Sequence, residues 1–418
     1  MQRRTLVLGG GFGGAQLARM LGERGATVVS PSTSMLYTPL LAEVAAGAIE
    51  PRHVAVPLRQ MCPHADLVLG RATGIDEGAR TVEVETERGA TELRYDRLVV
   101  ALGAVPRLMP VPGLVEHGLG FKTLGDAIAL RDHVLRRLEA ADSDPAGAER
   151  HLTFVFVGAG YAGVEACAEM LDLVAGALPH YPRLARLRQR WVLVNAGDRI
   201  LPETPRPLGD YAARQLEARG VEIRGGVKLA AVDARSATLS DGTRVPSETV
   251  VWTAGVRPHP LVAELGLPLH DDGRIAVDPF LRVEGRSDVW ALGDCAHVPN
   301  ETTPGAADPP TCQHALRQAR RLARNLSGRP APYRYRSRGQ AATLGRDRGI
   351  AAIGPMRLRG RPAGLMTRAM HVAQLPLRSR RLRVLADGTL SMAFNRDMVE
   401  LGMLDRTLER TVSKGARA

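Results

Sequence analysis

Thr5-Leu6-Val7-Leu8-Gly9-Gly10-Gly11-Phe12-Gly13-Gly14 begins a pattern that Thr153-Phe154-Val155-Phe156-Val157-Gly158-Ala159-Gly160-Tyr161-Ala162-Gly163 repeats. Each stretch is a run of strand-forming residues feeding a G-x-G-x-x-G turn. Apolar residues then recur at helical spacing: Ala15, Leu17, Ala18 and Leu21 after the first turn, Val164, Ala168, Leu171 and Val174 after the second. A single glycine-rich turn has many purely structural uses. Two copies in strand–turn–helix context predict two βαβ nucleotide-binding folds, with Gly9, Gly11, Gly14, Gly158, Gly160 and Gly163 where a helix N-terminus faces a pyrophosphate.

Outward from these anchors, Thr123 to Ala140 is predicted to be a helix opened by a Thr123/Asp126 capping box, and 141–147 a hinge loop. Leu229 to Ala254 is strand-rich with a hairpin signal at Asp241-Gly242, and Ile275 to Leu292 is also expected to be strand-rich. The latter ends in Ala291-Leu292-Gly293-Asp294. An acid at that point accepts hydroxyl hydrogen bonds from a polyol at the sheet's carboxyl edge, or caps a helix; both readings stay open on Asp294 alone.

Composition narrows the class. With 418 residues, 44% hydrophobic and 24% charged, the chain is long enough for two or three packed domains and unlike a disordered or collagenous sequence. Aromatic residues make up 4%, too few for a dedicated base-stacking surface, so no nucleic-acid partner is expected. The formal charge is +12, and apart from Lys122, Lys228 and Lys414 every basic residue is arginine. These arginines are dispersed; the one dense cluster is Arg378, Arg380, Arg381 and Arg383. Cys62, Cys167, Cys295 and Cys312 show no metal-ligand or redox-pair spacing, so no metal is expected and a reducing, cytoplasmic setting fits. Thr5–Leu8 is too short for the apolar core of an export signal, and no run approaches the ~18 apolar residues of a spanning helix.

The two glycine motifs, the strand-to-glycine crossovers Leu98–Ala104 and Val250–Gly255, and Ala291–Asp294 resemble the flavoprotein superfamily with two dinucleotide domains. Within it, Tyr37-Thr38-Pro39-Leu40-Leu41 with Gly47, and Pro309-Pro310-Thr311-Cys312-Gln313-His314-Ala315, resemble the type II (non-proton-pumping) NADH dehydrogenases. The resemblance spans about Arg4 to Gly402. It implies an α/β chain with two Rossmann-like domains, FAD on residues 1–118 and 268–330, NAD(P)H on 119–267, and a C-terminal segment over 331–418. It further implies that NADH or NADPH reduces FAD and that electrons leave to a quinone. Gly9, Gly11, Phe12, Gly13, Gly14, Ser30, Ala101, Gly103 and Asp294 would line the FAD. Gly158, Gly160, Gly163, Asn195 and Gly255 would line the nicotinamide nucleotide. Thr38, Pro39 and Glu165 would lie at the reacting centre, and Gln313 and Arg317 at the quinone.

Three departures from the family pattern bear on function. The second strand ends in Ser30-Pro31 instead of a ribose-binding acid. Asn195 stands where NADH-preferring relatives carry glutamate, and Arg199 is near enough in sequence to pair with a 2′-phosphate, so NADH and NADPH both remain open. The family's second quinone-site glutamine falls on Arg317. Beyond Gly364, Leu365, Met366, Ala369, Met370, Val372 and Ala373 form an apolar face and Thr367, His371 and Gln374 a polar stripe. Gly388 is expected to interrupt the stretch that follows. With the adjacent arginines supplying attraction to anionic headgroups, this segment reads as a peripheral contact with the inner face of the cell membrane; a homodimer contact is the alternative. Alternatives for the activity are a soluble acceptor, a redox-sensing flavoprotein, or a sulfide:quinone reductase, the last needing reactive cysteines.

Overall fold

The computed structural model describes residues 4–302, 305–337 and 339–402. Residues 403–418 of the C-terminal segment lie outside this set.

Each glycine turn leaves the middle of its own five-stranded parallel sheet. The first sheet has the order Val289–Ala291, Arg97–Val100, Thr5–Leu8, Ala26–Ser30, Asp66–Leu69, with Leu8 beside both Val29 and Val100. The second has the order Gly118–Gly120, Thr249–Trp252, Thr153–Val157, Arg190–Asn195, Val221–Gly225. Thr5–Leu8 and Thr153–Val157 are fully buried, which is why both read as continuous apolar runs without alternation. In both sheets the next strand in sequence pairs on one side and a much later one on the other. The carboxyl edge of the central strand is therefore a switch point, where open α/β sheets bind ligands.

The duplication extends to the insertions. Before returning to its sheet, each fold makes a three-stranded antiparallel meander: Arg71–Asp76, Thr81–Thr86 and Gly89–Arg94 in the first, Leu229–Asp233, Ser236–Leu239 and Arg244–Pro246 in the second. The Asp241-Gly242 turn joins the last pair, with Gly242 at φ 83°. A third meander, Gly339–Thr343, Gly349–Ile353 and Met356–Arg359, precedes helices Gly360–Gln374 and Arg378–Ala393.

Several local expectations are corrected. The capping-box helix is present, Thr123 accepting from the Asp126 amide and Asp126 from the Thr123 amide, but it runs on to Ser143. In place of a hinge loop, Pro145–Gly147 forms a turn fixed by the Asp144 side chain, and Ala148–His151 is helical. Between Ile275 and Leu292 only Ile275–Ala276 and Val289–Ala291 are strands; the rest is turn and isolated bridges. Gly388 does not break its helix, which is continuous from Arg378 to Ala393; one internal glycine costs only about 1 kcal/mol. The polar stripe is inverted as well. Thr367 is fully buried and donates to the Ala363 carbonyl, whereas Leu365 and Met366 are exposed. No described helix is long and apolar enough to cross a membrane.

Candidate functional site

The two glycine turns divide their glycines in the same way. A Cβ on Gly9 would sit 2.3 Å from the Ala101 carbonyl oxygen, and one on Gly14 would sit 1.9 Å from the Gly9 oxygen. Their counterparts Gly158 and Gly163 are equally confined, and Gly13 is blocked by Leu292. Gly11 and Gly160 differ: a Cβ on either meets nothing within 4 Å. Each is also the N-cap of its helix, Phe12–Leu21 and Tyr161–Ala177, with no side-chain cap on the first-turn amides. Both helix starts thus present free N–H groups to open space at a sheet's carboxyl edge, the chemistry an anionic pyrophosphate needs. These cradles fit the phosphates of two dinucleotides.

Asp294 follows the buried strand Val289–Ala291 through Gly293, which has φ 77°. Burial raises its carboxyl pKa, and Lys122, Arg274 and His314 pull it back down. The turn is held by Gln318, missed in the sequence, whose Oε1 accepts from the Gly293 amide at 2.8 Å while its Nε2 donates to Asp308 Oδ2 at 3.0 Å. Ala101 and Gly103 lie on the neighbouring crossover, and the Ala101 amide donates to the Leu8 carbonyl.

At the second fold, Asn195 is tied into its own loop: Nδ2 donates to the Gly197 carbonyl at 3.0 Å and the Arg199 carbonyl at 2.9 Å. Arg199, expected to be available to a 2′-phosphate, instead donates to the carbonyls of Pro202 and Thr204. Gly255, with φ 94°, closes the crossover opposite Gly158.

Between the folds lies a cluster of acids that the linear pattern only hinted at. Glu165 is partly buried and accepts from the Thr343 amide at 2.9 Å and the Thr343 hydroxyl at 3.4 Å. Burial, then the nearby Glu43 and Glu169, holds its carboxyl well above the ordinary range despite the Thr343 donors. Glu43, on the short helix Leu41–Ala45 just after Thr38 and Pro39, is buried. Burial and Glu169 push it up to about 7. Thr38 and Pro39 form a one-turn helix beneath the C-terminal helices, anchored by Tyr37, whose hydroxyl donates to the His371 carbonyl at 3.0 Å. The Phe12 and Tyr37 rings lie 5.7 Å apart, placing this turn beside the first glycine turn.

Gln313 and Arg317 converge on Tyr335, another residue not foreseen. The Tyr335 hydroxyl donates to Gln313 Oε1 at 3.5 Å, and the Arg317 guanidinium lies 5.5 Å from the ring centroid. All four cysteines are free. Burial raises their thiols, to about 11 for Cys62, Cys295 and Cys312 and about 12 for Cys167, so each is protonated at neutral pH.

Comparison with known proteins gives this geometry its relatives. Residues 3–319 match the family model described as pyridine nucleotide-disulphide oxidoreductase. The chain is 33% identical over 397 residues to the type II NADH:quinone oxidoreductase Ndh of Mycobacterium tuberculosis, covering 90% of this chain and 84% of the relative. It is 31% identical over 400 residues to the demethylphylloquinone reductase NdbB of Synechocystis, covering 91% and 94%. In fold it is similar to NDH2 from Plasmodium falciparum solved in complex with NADH, at 17% identity and a TM-score of 0.88, over 96% of this chain and 100% of that one. With two glycine-turn sheets and relatives matched along nearly its whole length, the chain belongs to the pyridine nucleotide-disulphide oxidoreductase family and, within it, to the type II NADH:quinone oxidoreductases.

Proposed function

We propose that the chain is an FAD-dependent NADH:quinone oxidoreductase that does not pump protons. The observation that carries this reading is the paired cradle: Gly11 and Gly160 each face open space at an uncapped helix start, on two sheets of one chain whose relatives perform this reaction. Bound at the first cradle, FAD supplies hydride acceptance from the nicotinamide and delivery of two electrons to the quinone.

The protein's own part is positioning and proton handling. The Gly11 turn takes the FAD pyrophosphate and Asp294 accepts from its ribityl hydroxyls; the Gly160 turn takes the NADH pyrophosphate. Asn195 Oδ1, which accepts only a long bond from the Ala159 amide at 3.4 Å, has acceptor capacity left for the adenosine ribose, and Arg199's attachment to its own loop favours NADH over NADPH. Burial and the nearby Glu43 and Glu169 favour the protonated form of the Glu165 carboxyl, which suits it to a proton-donating role at the reacting centre bounded by Thr38 and Pro39. Gln313 and Arg317 flank the quinone with Tyr335. The exposed apolar residues of helix Arg378–Ala393 support, on this reading, a peripheral contact with the lipid that holds the quinone, at the inner face of the cell membrane.

Stopped-flow mixing tests the reading. NADH should bleach the bound flavin, NADPH should do so at least about tenfold less efficiently, a gap of ~1.4 kcal/mol, and menadione should restore the colour. A flavin that NADH reduces but no quinone reoxidises would sink the assignment.

A further inference from the structure

We propose that the quinone taken at this site carries an ionised acidic group, which Arg317 binds and which Arg320 and Arg324 draw in. This rests on the quinone reading of Gln313, Arg317 and Tyr335, and it names the class of acceptor. Helix Cys312–Leu326 contains Arg317, Arg320, Arg321 and Arg324 and no acidic residue. Gln313, Arg317, Arg320 and Arg324 recur at i, i+4, i+7 and i+11, so the residues that reach Tyr335 begin a basic ridge along one side of the helix. Arg321 is not part of it, because its Nη2 donates to the Arg329 carbonyl at 3.0 Å.

The charge of this ridge is uncompensated. Arg317, Arg320 and Arg324 make no ion pair among the described residues. Burial lowers the pKa of the Arg320 guanidinium, and Arg317, Arg324 and Arg19 lower it further because all three are positive. Arg19 comes from Phe12–Leu21, the helix packed alongside. Asp308, a buried acid facing His314 at 3.8 Å, is engaged by Asn300 and Gln318, which donate to its oxygens. Arg317 itself is half-buried, and a stack on the Tyr335 ring satisfies a guanidinium only in part.

A neutral quinone has no use for this charge. Its carbonyls need only hydrogen-bond donors, and Gln313, with Oε1 turned to the Tyr335 hydroxyl, has its Nε2 N–H groups to offer. A carboxylate, sulfonate or ionised hydroxyl on the ring instead matches the forked donors of arginine. Arg324 lies two turns beyond Arg317, about 10 Å along the axis, close to the Debye length of ~10 Å at 0.1 M salt. Arg320 and Arg324 therefore act on the approaching anion, and Arg317 on the bound one. The redox step keeps its balance: NADH gives a hydride, solvent gives one proton, and the quinone becomes the quinol. The ionised substituent is neither oxidised nor transferred.

The test compares NADH oxidation by the full-length protein with 1,4-naphthoquinone-2-sulfonate, which is permanently ionised, and with menadione, which is uncharged. Between ~20 and ~500 mM salt, kcat/KM for the sulfonate should fall by about tenfold or more, the size of electrostatic steering, while that for menadione changes by less than about twofold. Arg320→Gln with Arg324→Gln should leave menadione turnover intact and flatten the salt dependence of the sulfonate. Arg317→Gln should lower the sulfonate-to-menadione ratio of kcat/KM by about tenfold even at high salt, the loss of one charge-assisted contact. Arg317→Lys, which keeps the charge without the fork, should recover part of that loss. Equal losses for both quinones in Arg317→Gln, or parallel salt curves for the two in wild type, overturn the proposal. It is also overturned if removing Arg320 and Arg324 leaves the sulfonate's salt dependence unchanged but weakens co-sedimentation with anionic liposomes, which assigns the ridge to lipid headgroups. If NADH reduces the flavin and neither quinone reoxidises it, the quinone reading itself fails and this proposal fails with it.

Discussion

Arg396 is buried against Glu169: its side chain is 4% exposed, that of Glu169 is wholly enclosed, and the guanidinium donates to the carboxylate. Arg396 belongs to the tail that follows the last helix and Glu169 to the second glycine helix, so this pair fastens the C-terminus over the dinucleotide folds. Asp172, one turn further along, also faces Arg396 and pairs with Arg219. The tail is secured nearby by the Asp397 amide donating to the Gly47 carbonyl and the Leu401 amide to Asp132. Gly47, with φ 67°, has no room for a side chain there: a Cβ would lie 2.1 Å from the Asp397 oxygen.

Arg396→Met should therefore destabilise the protein strongly, by about 3–5 kcal/mol, because it leaves the enclosed Glu169 carboxylate only the Arg368 guanidinium, 3.5 Å away and without a hydrogen bond to it. Arg396→Met combined with Glu169→Gln should recover much of that loss. Urea denaturation of both measures it; equal midpoints for the single and double variants would mean that Glu169 is not the group left uncompensated.

Gly11→Val and Gly160→Val should fold, since the added atoms enter open space, and each should lose one ligand. Gly11→Val should purify without bound FAD. Gly160→Val should remain yellow while its KM for NADH rises by about 100-fold or more, the worth of blocking several amide contacts. Gly14→Val, whose Cβ collides with the Gly9 carbonyl, should fail to fold. Flavin absorbance and NADH titration separate the three outcomes.

The glycine turns were legible because their information is local: a strand, a turn and a helix within a dozen residues. The acid cluster was half legible. Glu165, Glu169 and Asp172 recur at i, i+4 and i+7, one helical face, but nothing nearby reveals that this face is closed by Thr343, Glu43 and Arg396. The inverted face of Gly360–Gln374 has the same origin. An apolar stripe identifies a face that avoids water, but here Thr367 satisfies its hydroxyl within its own helix and so can be buried instead. Likewise Arg199 looked free in the sequence because the carbonyls that bind it belong to a loop conformation that no pattern encodes.

Stability should depend on pH through Glu43. Its folded pKa of about 7 lies above the ordinary 4.5, so the folded state holds the extra proton between those values. Its contribution is fully present below about 4.5 and is lost as pH rises through about 7, with a slope of at most about 1.4 kcal/mol per pH unit. His133 and His371, lowered by burial to about 4, act in the opposite direction below about 6.5, so the difference between variants is the informative quantity. Glu43→Gln should flatten the decline between pH 5 and 8 in urea midpoints. Parallel curves for wild type and variant would remove Glu43 as its source.

Donor choice should respond to Asn195. Glutamate at this position places a carboxylate against a 2′-phosphate and removes the Nδ2 bonds to the Gly197 and Arg199 carbonyls. Asn195→Glu should raise the NADH-to-NADPH ratio of kcat/KM by about tenfold, or ~1.4 kcal/mol. Steady-state rates with both donors measure it, and an unchanged ratio would assign discrimination to another residue.

Membrane attachment, if it runs through helix Arg378–Ala393, should be mainly apolar. Leu382 is 68% exposed, and Leu385, Leu390, Met392 and the following Phe394 are also open. Of the four arginines, Arg380 donates to the Arg52 carbonyl and Arg381 to the Leu375 carbonyl, so Arg378 and Arg383 are the pair left exposed. Two free arginines contribute roughly 2 kcal/mol at an anionic surface, whereas each leucine that enters the lipid contributes about 1.5–3 kcal/mol. Salt should therefore weaken binding to anionic liposomes only partly, in contrast to the electrostatic anchoring that the arginine cluster suggests. Leu382→Glu with Leu385→Glu should abolish co-sedimentation while leaving FAD content and NADH-to-menadione turnover intact. Release by high salt alone, or undiminished sedimentation of the double variant, would assign attachment to another surface and leave this apolar face to a second copy of the chain, which sedimentation equilibrium would reveal as a dimer that the same two substitutions dissociate.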